Sequence, residues 1–266
     1  MEQILLPTGV EFIPGTEPNV AEIIVTPCHQ GYGTTLGNAL RRILLSSLPG
    51  AAVEAVKING VQHEFSTIEG VTEDVIDIIL NLKQLAVKSH SDEPVILKLS
   101  KKGIGEVTAA DFEKNADVEI FNPDLKICTI ANASTKVEME VEIGRGRGYR
   151  PVEEKRGRVM DLGTILVDSL YSPIRDVGYK VEMTRVGDVT NYEKLIMHLE
   201  TNGTMSPKQA MNQSVRLLLD HLEVLEQASL TGVEEEVVAP VVESEEKPKK
   251  IRKSKKADKE DKTDKE

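Results

Sequence analysis

Disulfide chemistry is the first thing this sequence does without. Cys28 and Cys128 are the only cysteines in 266 residues, and they lie far apart, so no disulfide framework is expected and a reducing cytoplasm fits. Tryptophan is absent and aromatic residues make up 3%. No run of about 18 apolar residues occurs, so the chain is not expected to be an integral membrane protein. Met1-Glu2-Gln3-Ile4 has no cationic region ahead of an apolar stretch, unlike a secretory signal. His29, His63, His90, His198 and His221 form no H-x-x-x-H pair and no C-x-x-C accompanies them, so no metal site is expected. The G-x-S-x-G of a hydrolase elbow is also missing. Gly31, Gly33 and Gly37 are spaced G-x-G-x-x-x-G, one residue longer than the dinucleotide fingerprint, and no Lys-Ser or Lys-Thr follows Gly37. These glycines are expected to make a tight turn, and no cofactor is expected. A net charge of −11 argues against a body that binds nucleic acid through its own basic surface.

What is present divides near Gly232. Residues 233–266 carry eleven acidic and ten basic residues but no aromatic, Leu or Met. Such a segment cannot bury enough apolar surface to offset its ordering entropy and is expected to be disordered. Its charges are sorted: Glu234 to Glu246 is acidic, whereas Lys247 to Lys256 holds seven cations, Lys249 and Lys250 among them.

The body, residues 1–232, reads as mixed strand and helix, an α+β chain. Val137 to Ile143 alternates strictly between apolar residues and glutamates, the period of a half-buried strand. Ala21–Val25, Val95–Leu99 and Leu195–Leu199 are shorter candidate strands. A first helix is predicted over Thr35–Leu48, with Leu36, Leu40, Ile43 and Leu44 as its core stripe. A second is predicted over about Glu73–Leu82, with Thr72 as N-cap. A third follows Ser206-Pro207, cap and proline in the preferred order, and continues to about Leu230.

The third helix has the most informative pattern. Met211, Val215, Leu218, Leu222 and Leu225 form a heptad seam, which packs either inside its own domain or against another subunit. Leu217 and Leu219 widen the apolar surface and favour the subunit interface. On the first helix Leu45 falls roughly opposite Leu36, beside Arg41 and close to Arg42, and an exposed Leu flanked by arginines suits a protein-binding surface. One basic cluster stands out from the acidic body: Arg145, Arg147 and Arg150, then Lys155, Arg156 and Arg158. It is either a phosphate contact, through Arg145 and Arg147, or a flexible charged loop leaving a strand.

Leu36-Gly37-Asn38-Ala39-Leu40-Arg41-Arg42-Ile43-Leu44-Leu45-Ser46-Ser47 resembles the bacterial RNA polymerase alpha subunit. The resemblance continues through His63-Glu64-Phe65-Ser66-Thr67, Glu69-Gly70-Val71, Asn81-Leu82-Lys83, Gly103-Ile104-Gly105, Arg145-Gly146-Arg147-Gly148-Tyr149, Leu166-Val167-Asp168 and Glu200-Thr201-Asn202-Gly203-Thr204, in family order over residues 1–232. It implies a two-layer dimerisation subdomain from residues 1–50 and 168–232, interrupted by a β-rich insert at 51–167. It implies a homodimer held by Leu36, Leu40, Ile43, Leu44, Met211, Val215, Leu218, Leu222 and Leu225. Arg42 and Leu45 match positions that engage the beta subunit, and the block with His63, Glu64, Phe65 and Glu69 lies in the same contact region. Lys83 and Val167 match positions tied to beta-prime, and Arg41 and Asp168 fall in the same beta or beta-prime contact set. The implied role is non-catalytic: an assembly platform in a nucleotidyltransferase complex that also holds omega and sigma, reaches DNA through the complex, and works in the cytoplasm at the nucleoid. The family's usual helical C-terminal domain has no counterpart expected in residues 233–266. The alternative is a free-standing DNA-binding module that relies on the basic tail.

Overall fold

The computed structural model describes residues 4–155, 157, 161–187 and 189–230. The expectations for residues 233–266, Lys249 and Lys250 included, and for Arg156 and Arg158, lie outside the described residues. One compact unit runs to Leu225 and a second begins at Glu226; within the second, residues 226–230 are helical.

The strands in chain order are β1 (Gly9–Pro14), β2 (Val20–Cys28), β3 (Pro49–Ile58), β4 (Val87–Ser89), β5 (Val95–Lys102), β6 (Gly105–Thr108), β7 (Val118–Ile120), β8 (Lys126–Ile130), β9 (Lys136–Arg147), β10 (Tyr149–Arg150), β11 (Thr164–Leu166), β12 (Ser169–Leu170), β13 (Ile174–Val186) and β14 (Val189–Thr201). The helices are α1 (Tyr32–Ser46), α2 (Val75–Leu82), α3 (Val152–Lys155) and α4 (Pro207–Leu230). The chain is thus α+β, dominated by strands. Two four-stranded antiparallel sheets, β1-β2-β14-β13 and β11-β3-β9-β5, each back a separate core. Two-stranded ladders β4-β7, β6-β8 and β10-β12 complete the described sheets.

The strict alternation in β9 has the expected consequence. Val137, Met139, Val141 and Ile143 are buried, and Glu138, Glu140 and Glu142 stand half-exposed on the other face. With Val56, Leu97 and Leu99 from the neighbouring strands and Ile78 and Leu82 from α2, they form the first core. The second core joins Ile23 and Leu195, from adjacent strands, to Leu40, Leu44 and Leu48 in and just after α1, and to Met211 of α4.

Two helix starts differ from expectation, each for a local polar reason. Helix α2 begins at Val75, and Asp74, not Thr72, is its cap: the Asp77 N–H donates to Asp74 Oδ1 at 2.8 Å. Glu73 is turned instead toward β8, accepting from the Thr129 N–H at 2.6 Å and the Thr129 hydroxyl at 2.9 Å. Helix α1 begins three residues earlier than predicted because a carboxylate from β14 caps it. Glu193 accepts the Gly31 N–H at 2.8 Å and the Gly33 N–H at 2.9 Å. Only Gly31, with φ of 85°, serves as a turn residue; Gly33 and Gly37 are helical and buried.

Those two glycines also reorient the helix. They sit at the centre of the buried face, where the backbone of α1 approaches β13 and β14 closely. The core stripe is therefore rotated from the one predicted: Leu40 and Leu44 are buried, Leu36 and Ile43 are only half-buried at one edge, and Leu45 is half-buried at the other. An alanine Cβ at Gly37 would lie 2.6 Å from Tyr179 Cδ2 and 3.0 Å from Leu195 Cδ1. Helix propensity alone favours alanine by roughly 1 kcal/mol, but overpacking of this kind costs about 1–3 kcal/mol. The expected result for Gly37→Ala is a lower urea midpoint with an unchanged m-value. A raised midpoint would show that α1 rides outward without loss.

Candidate partner-docking surfaces

Helix α4 carries an exposed apolar stripe. Ser206 and Gln209 cap its start reciprocally: the Gln209 N–H donates to Ser206 Oγ at 3.3 Å and the Ser206 N–H to Gln209 Oε1 at 3.1 Å. Pro207, Ala210, Met211 and Ser214 are buried against the domain. Beyond Ser214 that support thins. Val215, Leu219, Leu222 and Leu225 are exposed by 38%, 50%, 50% and 65% respectively, and Leu218 is half-buried. Of the residues expected at a subunit interface, Leu40, Leu44 and Met211 face their own core, which leaves Leu36, Ile43 and the α4 stripe from Val215 to Leu225 with surface to offer.

The outer side of α1 presents two arginines. Arg41 is exposed, but its Nε donates to the Val177 carbonyl at 3.0 Å, which ties its side chain back to β13. Arg42 is exposed and has no ion pair among the described residues. Leu45, expected to be exposed beside them, packs partly on the second core because the glycine face draws α1 inward.

The segment from His63 to Gly70 forms a pinned surface loop. His63, Glu64, Phe65 and Glu69 are exposed, Phe65 by 75%. The loop is fixed from both ends: the Val75 N–H donates to the Ser66 carbonyl at 3.2 Å, and the Thr135 hydroxyl to the Glu69 carbonyl at 3.1 Å. An exposed aromatic ring on a fixed loop is a low-entropy contact for another protein.

Lys83 and Asp168, far apart in sequence, meet in space. Lys83 Nζ lies 3.0 Å from Asp168 Oδ2, and the Val152 N–H donates to Asp168 Oδ1 at 3.0 Å. The lysine first, and the backbone N–H second, hold the Asp168 carboxyl below its ordinary range. Val167, expected beside them as a contact residue, is only 2% exposed, so its side chain belongs to the first core.

Among the described residues, the members of the basic cluster lie on strands and a helix, not in a loop. Arg145 and Arg147 belong to β9, opposite Ala51 and Pro49 of β3, and Arg145 pairs with Asp92 at 2.5 Å. Lys155 is buried at 6% exposure and is therefore removed from any surface phosphate role. The sequence contained no signal for that burial, nor for Glu193 as a helix cap. Both depend on residues distant in the chain. Among the described residues, no group of three or more His, Cys, Asp or Glu is placed to hold a metal ion, and no helix is long and apolar enough to cross a membrane.

Comparison with known proteins identifies the family. Residues 56–172 match the family model described as the RNA polymerase Rpb3/RpoA insert domain. A protein of Symbiobacterium thermophilum is 52% identical over 216 residues, covering 81% of this chain and 68% of its own length. One of Oceanobacillus iheyensis is 50% identical over 203 residues, covering 76% and 64%, respectively. One of Desulforamulus reducens is 46% identical over 243 residues, covering 90% and 75%. All three are named DNA-directed RNA polymerase subunit alpha, which supports the polymerase reading and lends nothing to a free-standing DNA-binding module. Identity at this level over most of the chain decides the matter: this chain belongs to the family of alpha subunits of DNA-directed RNA polymerase, a transferase complex.

Proposed function

We propose that the chain is the homodimeric, non-catalytic platform on which the polymerase assembles. Two copies join through α4 and the edge of α1, and the dimer receives the beta and beta-prime subunits, with omega and sigma completing the holoenzyme in the cytoplasm at the nucleoid. The observation that carries the reading is the stripe of Val215, Leu219, Leu222 and Leu225, exposed by 38–65% along a helix whose preceding turns are buried. Exposed apolar residues repeated on one helix face mark a protein interface. The dimerisation subdomain is assigned to residues 1–50 and 168–232 and the insert to 51–167. The separate cores support that division, since one draws on residues between Ala51 and Val167 and the other on residues outside them. DNA is reached through the complex, with weak, salt-sensitive attraction at Lys249 and Lys250 part of the same reading.

Arg42, exposed and without an ion pair among the described residues, is the position on α1 assigned to beta. Arg42→Ala is expected to leave a folded dimer that binds beta about thirtyfold more weakly, the effect of losing about 2 kcal/mol at a hot spot. A pull-down with purified beta, run beside sedimentation of the free chain, checks both halves. Full capture by a normal dimer would remove Arg42 from the contact.

A further inference from the structure

We propose that Lys155 is a positioning residue for the surface pair of Lys83 and Asp168: its buried ammonium holds the backbone on both sides of Asp168, so that the carboxylate is presented in one fixed geometry. What the pair is presented to, the beta-prime subunit, rests on the proposed function above.

Lysine is rarely buried without partners, and Lys155 is 6% exposed. Its Nζ donates to the Val167 carbonyl and to Ser169 Oγ, both at 2.5 Å, with the Glu54 carbonyl at 3.4 Å. Three donors thus meet three oxygens. Val167 and Ser169 are the neighbours of Asp168 on either side. Both are tied onward to β3: the Val167 N–H donates to the Glu54 carbonyl at 2.9 Å and the Ser169 hydroxyl to the Val53 carbonyl at 2.5 Å. Helix α3 therefore grips Asp168 twice. Its first N–H, from Val152, takes the carboxylate, and the side chain of its last residue takes the flanking backbone.

The surroundings match this task. The Tyr171 hydroxyl donates to Glu54 Oε1 at 2.5 Å, and Tyr171, Ser169 and Glu54 are all buried. Glu54, Asp168 and Glu142 are the carboxylates whose charge favours the ammonium, and Arg150 opposes it. Burial lowers the affinity of Lys155 for its proton, and Glu54 is the main opposing influence. Asp168 and Lys83 are partly open to solvent, each side chain about one-third exposed, at 33% and 32%.

The test is a carbon-detected NMR titration of Asp168 in the full-chain dimer, beside capture of purified beta-prime. Two variants separate geometry from charge. Lys155→Met removes the ammonium, whereas Ser169→Ala removes an anchor and leaves every charge in place. In both, the Asp168 pKa is expected to rise toward the ordinary value of about 3.9, and beta-prime capture to weaken about tenfold. Lys155→Arg is expected to recover part of both. If Lys155→Met fails to fold, Ser169→Ala alone decides. An Asp168 titration unchanged in Ser169→Ala overturns the proposal whatever happens to capture. A shifted titration with full capture upholds the positioning role and instead removes beta-prime contact from this pair.

Discussion

Replacing Leu218 and Leu222 together with aspartate is expected to abolish the dimer, leaving monomer or aggregate in sedimentation at micromolar concentration. Leu222 is 50% exposed and Leu218 half-buried, so neither supplies much of the intrachain core and the single domain is expected to stay folded. In the proposed dimer the same positions would be desolvated. Two carboxylates per chain placed there would be buried without partners, at a cost of several kcal/mol, enough to move an association constant by orders of magnitude. Far-UV circular dichroism on the monomer separates lost association from lost fold. A dimer that survives both substitutions would mean that the α4 stripe is covered by something other than a second copy.

Glu193→Ala is expected to cost about 2–4 kcal/mol of folding stability, seen as a lower midpoint in urea. Glu193 is 8% exposed, and its carboxylate satisfies the N–H groups of Gly31 and Gly33 at the start of α1. Removing it leaves two donors unsatisfied at a helix end, where each lost partner is worth about 1–2 kcal/mol. Because α1 carries Arg42, the same variant is expected to weaken beta capture in proportion to the fraying of the helix. Glu193→Gln keeps one acceptor oxygen and is expected to fall between. A loss below about 0.5 kcal/mol, the range of an ordinary surface substitution, would show that water or another group can cap the helix equally well.

The two predictions differ in how far their residues could be read from sequence. The α4 stripe was legible because its signal is local: spacings of three and four residues over one helix, opened by Ser206 and Pro207. The alternation in β9 was legible for the same reason. Glu193 was not, because its role depends on β14 passing the start of α1 after a long excursion of the chain. The buried face of α1 is hidden from the pattern of apolar residues, because Gly33 and Gly37 at its centre mark it by lacking a side chain. Thr72 and Asp74 are both cap types, Asp the stronger, and Glu73 between them is bonded to Thr129 instead of opening the helix. Lys155 lies in a basic, polar stretch of sequence, and nothing nearby announces that Ser169 and the Val167 carbonyl await its ammonium. The Lys83–Asp168 pair was reached residue by residue through the family resemblance, with no sign in the spacing that the two would touch.

The central claim is that this chain exists to hold two very large subunits together. Native mass spectrometry of the tagged full-length chain, purified from its own cells at low salt, tests it most directly. The account predicts one dominant assembly with two copies of the chain and one copy each of two much larger polypeptides, and predicts that Leu218→Asp with Leu222→Asp eliminates it. Recovery of the chain alone, or of a homodimer with no large subunit attached, would contradict it.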